Sequence, residues 1–411
     1  MNGRSGLRVA MIGQRGVPAT FGGVEHHVEE LGARLSARGH DVTVYCRSNY
    51  GTEHPSRYRG MRLRHLPTLP TKHLDAIAHS GVSTLAAIAA HHDIVHYHAL
   101  GPGLVAPLPR AIGRARVVQT VHGLDDERAK WGRGAQSVLR TAQWMSARVP
   151  HATITVSKAL ADHYAARHDR SAVYIPNGVT VPTPRPATTI QGRFGITPGA
   201  YVLFVGRLVP EKAPDLLIEA YRHITGPTRL VIAGGSAYSD AYVAKLRELA
   251  EPDPRIVFTD YVYGNLLAEL YTNAAAFVLP SRLEGLPLTL LEAASYGLPI
   301  VASNIPPHAE VLETEGPGQR LFQSGDVLGL AAALDRILEV PARERAGAET
   351  LRQRVVGSYR WDDVTSATEQ LYFRILNRTD EMVDLTDRAT PEREPEPAPA
   401  PAPPIAESEL R

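Results

Sequence analysis

Glu284 and Glu292 stand eight residues apart in SRLEGLPLTLLEAASYG, with a glycine turn and a helix start between them. The apolar run Ala276-Phe277-Val278-Leu279 just before them, flanked by Pro280 and Ser281, has the length and boundaries of a buried strand. Glu284 therefore falls on the loop leaving that strand and Glu292 on the helix that follows. In a parallel α/β sheet such loops line the ligand crevice, and helix N-termini there attract anions through free N–H groups. A carboxylate beside an anion site suits a neutral diol, which it can hold by two hydrogen bonds. Without a ligand role, Glu284 would cap a turn and Glu292 would be a solvated helix residue.

A second constellation lies upstream. Tyr201-Val202-Leu203-Phe204-Val205 reads as another buried strand, followed by Gly206-Arg207, Glu211-Lys212 and a helix opening near Pro214. Two fixed cations beside a helix N-terminus make a diphosphate site, Arg207 as a planar fork and Lys212 as a point charge. Surface pairing of Lys212 with Glu211 is the competing account. A diphosphate and a ribose diol together describe a nucleotide sugar, held by Arg207, Lys212 and Glu292, with Glu284 and the amides of Gly285 and Leu286 facing the sugar. Backbone near Tyr261 and Tyr263 is placed to read the base.

The amino-terminal loop GQRGVPATFGGVEHH lacks the G-x-G-x-x-G dinucleotide fingerprint. Gly22 and Gly23 at the mouth of a helix let backbone N–H groups approach a ligand closely, or form a flexible turn. Arg15 in the same loop is a candidate acceptor or phosphate contact. HHDIVHYH packs four histidines into eight positions, yet no cysteine or carboxylate follows at ligand spacing, so no metal site is expected. His98, at the carboxyl end of its strand, is assigned to the acceptor side. His122, in TVHGLDD after the next strand, could hold a sugar hydroxyl as a neutral donor and acceptor, or cap a turn. No D-x-D occurs in the chain, which leaves side-chain cations and helix dipoles to neutralise a diphosphate and predicts metal-independent chemistry without a cofactor.

These residues are spaced by alternating strand-like and helical patterns, the signature of a doubly wound parallel sheet, and the alternation occurs twice. The first set of strands is expected at Leu7 to Ile12, Asp41 to Cys46, Asp93 to Tyr97, Ala115 to Thr120 and Thr153 to Val156. Between its first two members lies a helix with Val24, Val28, Leu31 and Leu35 on one face. Pro-rich VPTPRPATT at 181–189 reads as a linker. The second set is expected at 201–205, 228–232, 255–258, 276–279 and 299–302. Beyond Thr379 the chain turns to Asp, Glu, Pro and Ala, a composition that predicts a disordered tail over 379–411.

VGRLVPEKAPDLLIEAY, PSRLEGLPLTLLEAASYGLPIVAS and IPNGV resemble the donor-domain signatures of the family 4 glycosyltransferases, which have the GT-B fold. IGQRGVPATFGGVEHHVEEL, HYHALGP and TVHGLDDERAKWG resemble a bacterial subgroup that includes rhamnosyltransferases of surface-polysaccharide assembly. The resemblance runs from about Leu7 to Leu376. It implies a retaining transferase that moves a hexose or rhamnose to a saccharide or polyprenyl-linked acceptor. It also implies an acceptor-side domain 1–183, completed by a returning helix at 362–376, and a donor domain 184–361. By the same resemblance, Gly23 approaches the donor and His122 lies beside the transferred sugar, so His122 and Glu284 are the catalytic candidates. A sugar-nucleotide epimerase or a non-catalytic precursor-binding subunit would share the architecture.

Composition agrees. A chain of 411 residues exceeds one ordinary core. A net charge of +1 supplies no field for nucleic acid. The lone Cys46 excludes an internal disulfide framework and fits a reducing, cytoplasmic setting. The start, MNGRSGLRVAMIG, reads as neither a signal peptide nor a membrane span. Membrane contact would therefore be peripheral, and the basic stretch Arg57 to Arg64 could meet anionic headgroups or form a solvated strand edge.

Overall fold

The computed structural model describes residues 6–20, 22–68, 75–124, 133–235, 240–313 and 315–377; the tail expected at 379–411 lies outside the described residues. Two sheets organise the chain. The first contains β1 (Arg8–Ile12), β2 (Asp41–Arg47), β3 (Arg57–Tyr58), β4 (Met61–Leu66), β5 (Ile94–His98), β6 (Arg116–Val121), β7 (Ala152–Thr155) and β8 (Val173–Tyr174). Its spatial order is β3-β4-β2-β1-β5-β6-β7-β8. The second contains β9 (Tyr201–Val205), β10 (Arg229–Ala233), β11 (Ile256–Asp260), β12 (Ala276–Leu279), β13 (Ile300–Ser303) and β14 (Gln319–Phe322), ordered β11-β10-β9-β12-β13-β14. All neighbouring strands run parallel except the β3–β4 pair. Helices cover both faces, which is why the central strands read as continuous apolar runs.

Four strands lie outside the expected sets. β4 alternates arginine with apolar residues and is exposed on every second side chain near the sheet edge. The basic segment is thus a strand edge, and it is partly neutralised: Arg62 pairs with Asp41, and Arg59 with Glu29 and Glu30. β3 and β8 are two residues each, and β14 is half polar, so none carries a hydrophobic period.

Each sheet reverses its strand order once, at β1/β5 in the first and at β9/β12 in the second. Ligands of open α/β sheets bind outside the carboxyl ends of strands at such points. Gly13, after β1, has φ +121 and a Cβ there would lie 2.2 Å from the His98 carbonyl oxygen, so the two switch-point loops touch through bare backbone. In the second sheet the loops after the neighbouring β9 and β10 meet in the same way, since a Cβ on Gly234 would lie 1.9 Å from the Gly206 carbonyl oxygen.

The closing helix Trp361–Asn377 leaves the second half and packs against the helix Gly23–Ala37 of the first. Trp361, Val364, Leu371, Tyr372 and Ile375 join Val28, Leu31 and Leu35 in one apolar cluster. Arg38 and His40 both meet Glu369, at 2.8 and 2.7 Å. The chain therefore crosses between halves twice. The crossings are bonded to each other, Val179 N–H donating to the Tyr359 carbonyl at 2.6 Å. The Pro-rich stretch is strapped to the second half, since Arg185 N–H donates to Thr272 Oγ1 and Asn273 Nδ2 donates to the Arg185 carbonyl.

Candidate active site

A cleft with a cavity volume of ≈ 440 Å³ lies between the carboxyl ends of the two sheets. Arg15, Gly22, Gly23, His122, Arg207, Lys212, Tyr261, Tyr263, Glu284, Gly285, Leu286 and Glu292 all line it. The cations and acids singled out in the sequence therefore share one hollow.

In the second half the loop after β9 carries the cations. Arg207 lies 3.8 Å from Glu211, and Pro210–Lys212 forms a 3₁₀ turn ahead of the helix Pro214–Tyr221. Lys212 pairs with Glu284 on the loop after β12, a nearly buried pair across the switch point, so the competing surface pair with Glu211 does not form. Burial pushes the Glu284 carboxyl up, but the Lys212 ammonium, joined by His308 and Ser281, outweighs it and holds the group below its ordinary value. Glu292 has no such cation. Burial raises it above the ordinary carboxylate value, and Tyr271 Oη donates to its Oε2 at 3.0 Å, which orients the carboxylate on the helix Leu288–Ser295. Thr289, in the first turn of that helix, also lines the cleft, with its hydroxyl buried and unpartnered. Tyr261 and Tyr263 stack with ring centroids 6.0 Å apart, Tyr263 half exposed.

In the first half the glycine loop is tied down rather than loose. Arg15 N–H donates to Glu25 Oε1 at 3.0 Å and Ala19 N–H to Glu29 Oε2 at 2.7 Å, both acids coming from the helix that the loop enters. Gly22 has φ +104, and a Cβ there would lie 2.1 Å from Glu25 Oε2. At Gly23 a Cβ would make only ordinary contact, 3.6 Å from Leu288 Cδ1 across the cleft.

One assignment needs correction. His98, placed on the acceptor side, is fully buried and does not line the cleft. Its strand ends where expected, but His122 from β6 and His27 from the first helix sit over it, at ring-centroid distances of 5.6 and 5.5 Å. His122 occupies the wall of the cleft in its place. Burial lowers His122 well below the ordinary histidine value, so it is a neutral imidazole.

Two contributors went unread in the sequence. His27 Nδ1–H donates to Asn177 Oδ1 at 2.9 Å, and Asn177 Nδ2 donates to the Leu286 carbonyl at 2.7 Å. This relay couples the first helix to the Glu284 loop. The VEHHVEE doublet and the Asn of IPNGV were the available signals, and neither reveals a partner more than a hundred residues away. The halves also approach backbone to backbone where Gly285 meets His122: a Cβ on Gly285 would lie 1.9 Å from the His122 carbonyl oxygen.

Two facing Rossmann-like sheets with a returning helix and a charged interdomain cleft define the GT-B class of protein. The solved structures agree. Sucrose-phosphate synthase from Thermosynechococcus elongatus superposes with a TM-score of 0.79 at 23% identity, over 90% of this chain and 99% of that one. An Anabaena protein solved in complex with UDP-glucose gives 0.75 at 16% identity, over 90% and 100%. Family models match the two halves in turn, Glycosyltransferase Family 4 over residues 21–181 and Glycosyl transferases group 1 over residues 189–354. The chain belongs to the family 4 glycosyltransferases. Similar curated proteins include a glycogen synthase of Mycobacterium tuberculosis, 29% identical over 94% of this chain and all of that one. A GDP-mannose-dependent mannosyltransferase of Mycolicibacterium smegmatis, acting on a phosphatidylinositol monomannoside, is 26% identical over 84% and 93%. Among the described residues no helix is long and apolar enough to cross a membrane.

Proposed function

We propose that this glycosyltransferase moves a hexose or rhamnose from a nucleoside-diphosphate sugar to a saccharide or polyprenyl-linked acceptor, with retention of anomeric configuration and without a catalytic metal. The observation that carries the reading is the meeting of Arg207, Lys212, Glu284, Glu292 and His122 in one cleft at both switch points. Glu292 takes the ribose diol, Arg207 and Lys212 take the diphosphate, and the buried Thr289 hydroxyl adds a donor beside them. His122 holds a hydroxyl of the sugar on the opposite wall.

Departure of the diphosphate leaves an oxocarbenium-like sugar. Glu284, the acid facing the sugar, is engaged by Lys212 and so is not a free nucleophile for a covalent intermediate. The acceptor hydroxyl attacks from the face that the diphosphate leaves, and a leaving phosphate oxygen takes its proton. Fixed positive charge on the leaving group then dominates the rate. Closure of the halves excludes water that would otherwise hydrolyse the donor.

A lipid-linked acceptor has support from the surface of the first half. Leu85 and Ile112 stand exposed on the touching helices Asp75–Ala89 and Pro107–Ile112, and Trp144, Arg114 and Arg140 are exposed in the same half, residue types suited to an anionic bilayer face. Sedimentation with vesicles containing anionic lipid should carry the protein down at low salt and release it at high salt; indifference to vesicles removes the membrane contact.

Incubation with a panel of nucleotide sugars decides the main reading. Nucleoside diphosphate should appear with the correct donor, faster with acceptor and undiminished by EDTA. Conversion of the donor to another nucleotide sugar without acceptor would make the protein an epimerase, and inertness toward all donors would make it a binding subunit.

A further inference from the structure

Behind the cleft wall, His27 from the first helix, His98 from β5 and His122 after β6 converge. One ring nitrogen of each lies within 4.8 Å of the other two, and His98 Nδ1 stands 3.3 Å from His122 Nε2. Two imidazoles bound to one tetrahedral ion at roughly 2.0–2.1 Å place their nitrogens at about that separation. Nε2 of His27 is buried without a hydrogen-bond partner, and such an orphaned group requires an explanation.

The hydrogen bonding suits a ligand. The bond from His27 Nδ1–H to the Asn177 side-chain carbonyl leaves His27 Nε2 as a bare lone pair. An imidazole held through its other nitrogen by a carbonyl is the arrangement that outer groups give to metal-bound histidines. Imidazole nitrogens select zinc-like ions over magnesium, which prefers oxygen.

We propose that His27, His98 and His122 bind one divalent transition ion of the zinc type, and that filling this site inhibits sugar transfer by drawing His122 away from the cleft. The inhibition rests on the reading of His122 as a sugar contact; the binding does not.

The full chain, stripped with chelator and titrated with Co²⁺, should develop the visible absorption of tetrahedral cobalt at one equivalent, and Zn²⁺ should displace it. His27→Gln, with its fold checked by circular dichroism, should lose the band. Asn177→Ala keeps all three ligands and should weaken binding about 10- to 100-fold. No band, or an equal band in His27→Gln, overturns the site. In the rate assay one equivalent of Zn²⁺ should slow the unaltered protein at least tenfold, reversibly with EDTA, and slow His27→Gln far less relative to its own metal-free rate. A cobalt band without inhibition overturns the inhibitory role. A cobalt band in a protein that turns over no donor even when metal-free sustains the site and rejects the transferase reading.

Discussion

The two switch points use one architecture with opposite chemistry. At β9/β12 the loops carry Arg207, Lys212, Glu284 and Glu292, and Lys212 is neutralised across the reversal by Glu284. At β1/β5 and the adjoining β6 the loops carry mostly bare glycine backbone and the neutral His122, with Arg15 the cation among them. A charged wall can grip a dianionic leaving group, and a neutral one can hold hydroxyls without competing for the phosphates. Division of labour between the two halves therefore lies in the loops rather than in the sheets, which share a doubly wound parallel pattern.

Removing cations from the charged wall should do the most. Arg207→Ala is expected to lower turnover about 10²-fold or more, read by initial rates of nucleoside diphosphate release. Lys212→Ala should lose turnover and also stability, about 3–5 kcal/mol, because it leaves the Glu284 carboxylate buried and unpaired. Lys212→Met with Glu284→Gln should regain most of the melting temperature while remaining inactive. Full recovery of activity in the double variant would mean that the pair serves the fold alone.

The contact between the walls comes next. Gly285→Ala inserts a methyl where the His122 carbonyl stands, so the halves must separate. Turnover should fall about 10- to 100-fold with little change in nucleoside diphosphate affinity, since misplacement of about 1 Å costs that much. Equal loss of affinity would place the residue in the donor pocket itself. Small-angle scattering should show compaction on donor binding in the unaltered protein and none in this variant.

The two acids should separate by pH. Burial raises Glu292, so as pH falls through that raised value the carboxylate protonates and loses its grip on the ribose diol; kcat/KM should drop. Glu284, which Lys212 holds low against its burial, stays ionised over the same range. The acid limb should therefore vanish in Glu292→Gln, at a lower plateau. The linkage to folding has the opposite sign: with its folded pKa above the unfolded one, Glu292 makes the empty protein more stable as pH falls through the raised value. The smallest effect belongs to the half-exposed Tyr263. Tyr263→Ala should cost about 0.5–1.5 kcal/mol of stacking, a several-fold rise in donor KM at unchanged kcat.

The charged wall was legible in the sequence because it is local. Arg207 and Lys212 follow β9 within seven residues, and Glu284 and Glu292 straddle one turn after β12, so strand pattern and loop chemistry could be read together. The neutral wall is assembled from afar. Asn177 lies 150 residues from His27 and 109 from Leu286, distances at which no spacing rule operates. His98 shows the limit of reading by strand ends. Its position was foreseeable, but the side chains stacked above it come from other elements. The strands that escaped notice did so because β4 alternates with arginine and β14 is half polar, while sheet edges need no continuous apolar run.

Val179 and Tyr359, bonded where the chain passes and repasses between halves, act as paired pins of a single axle. Trp361 wedges beneath Gly178, where a Cβ would come within 2.4 Å of its ring, and leaves no room for lateral play. One connection would permit swivel in many directions; two side by side permit a swing about one line. Each catalytic cycle can thus return the same glycine to the same carbonyl.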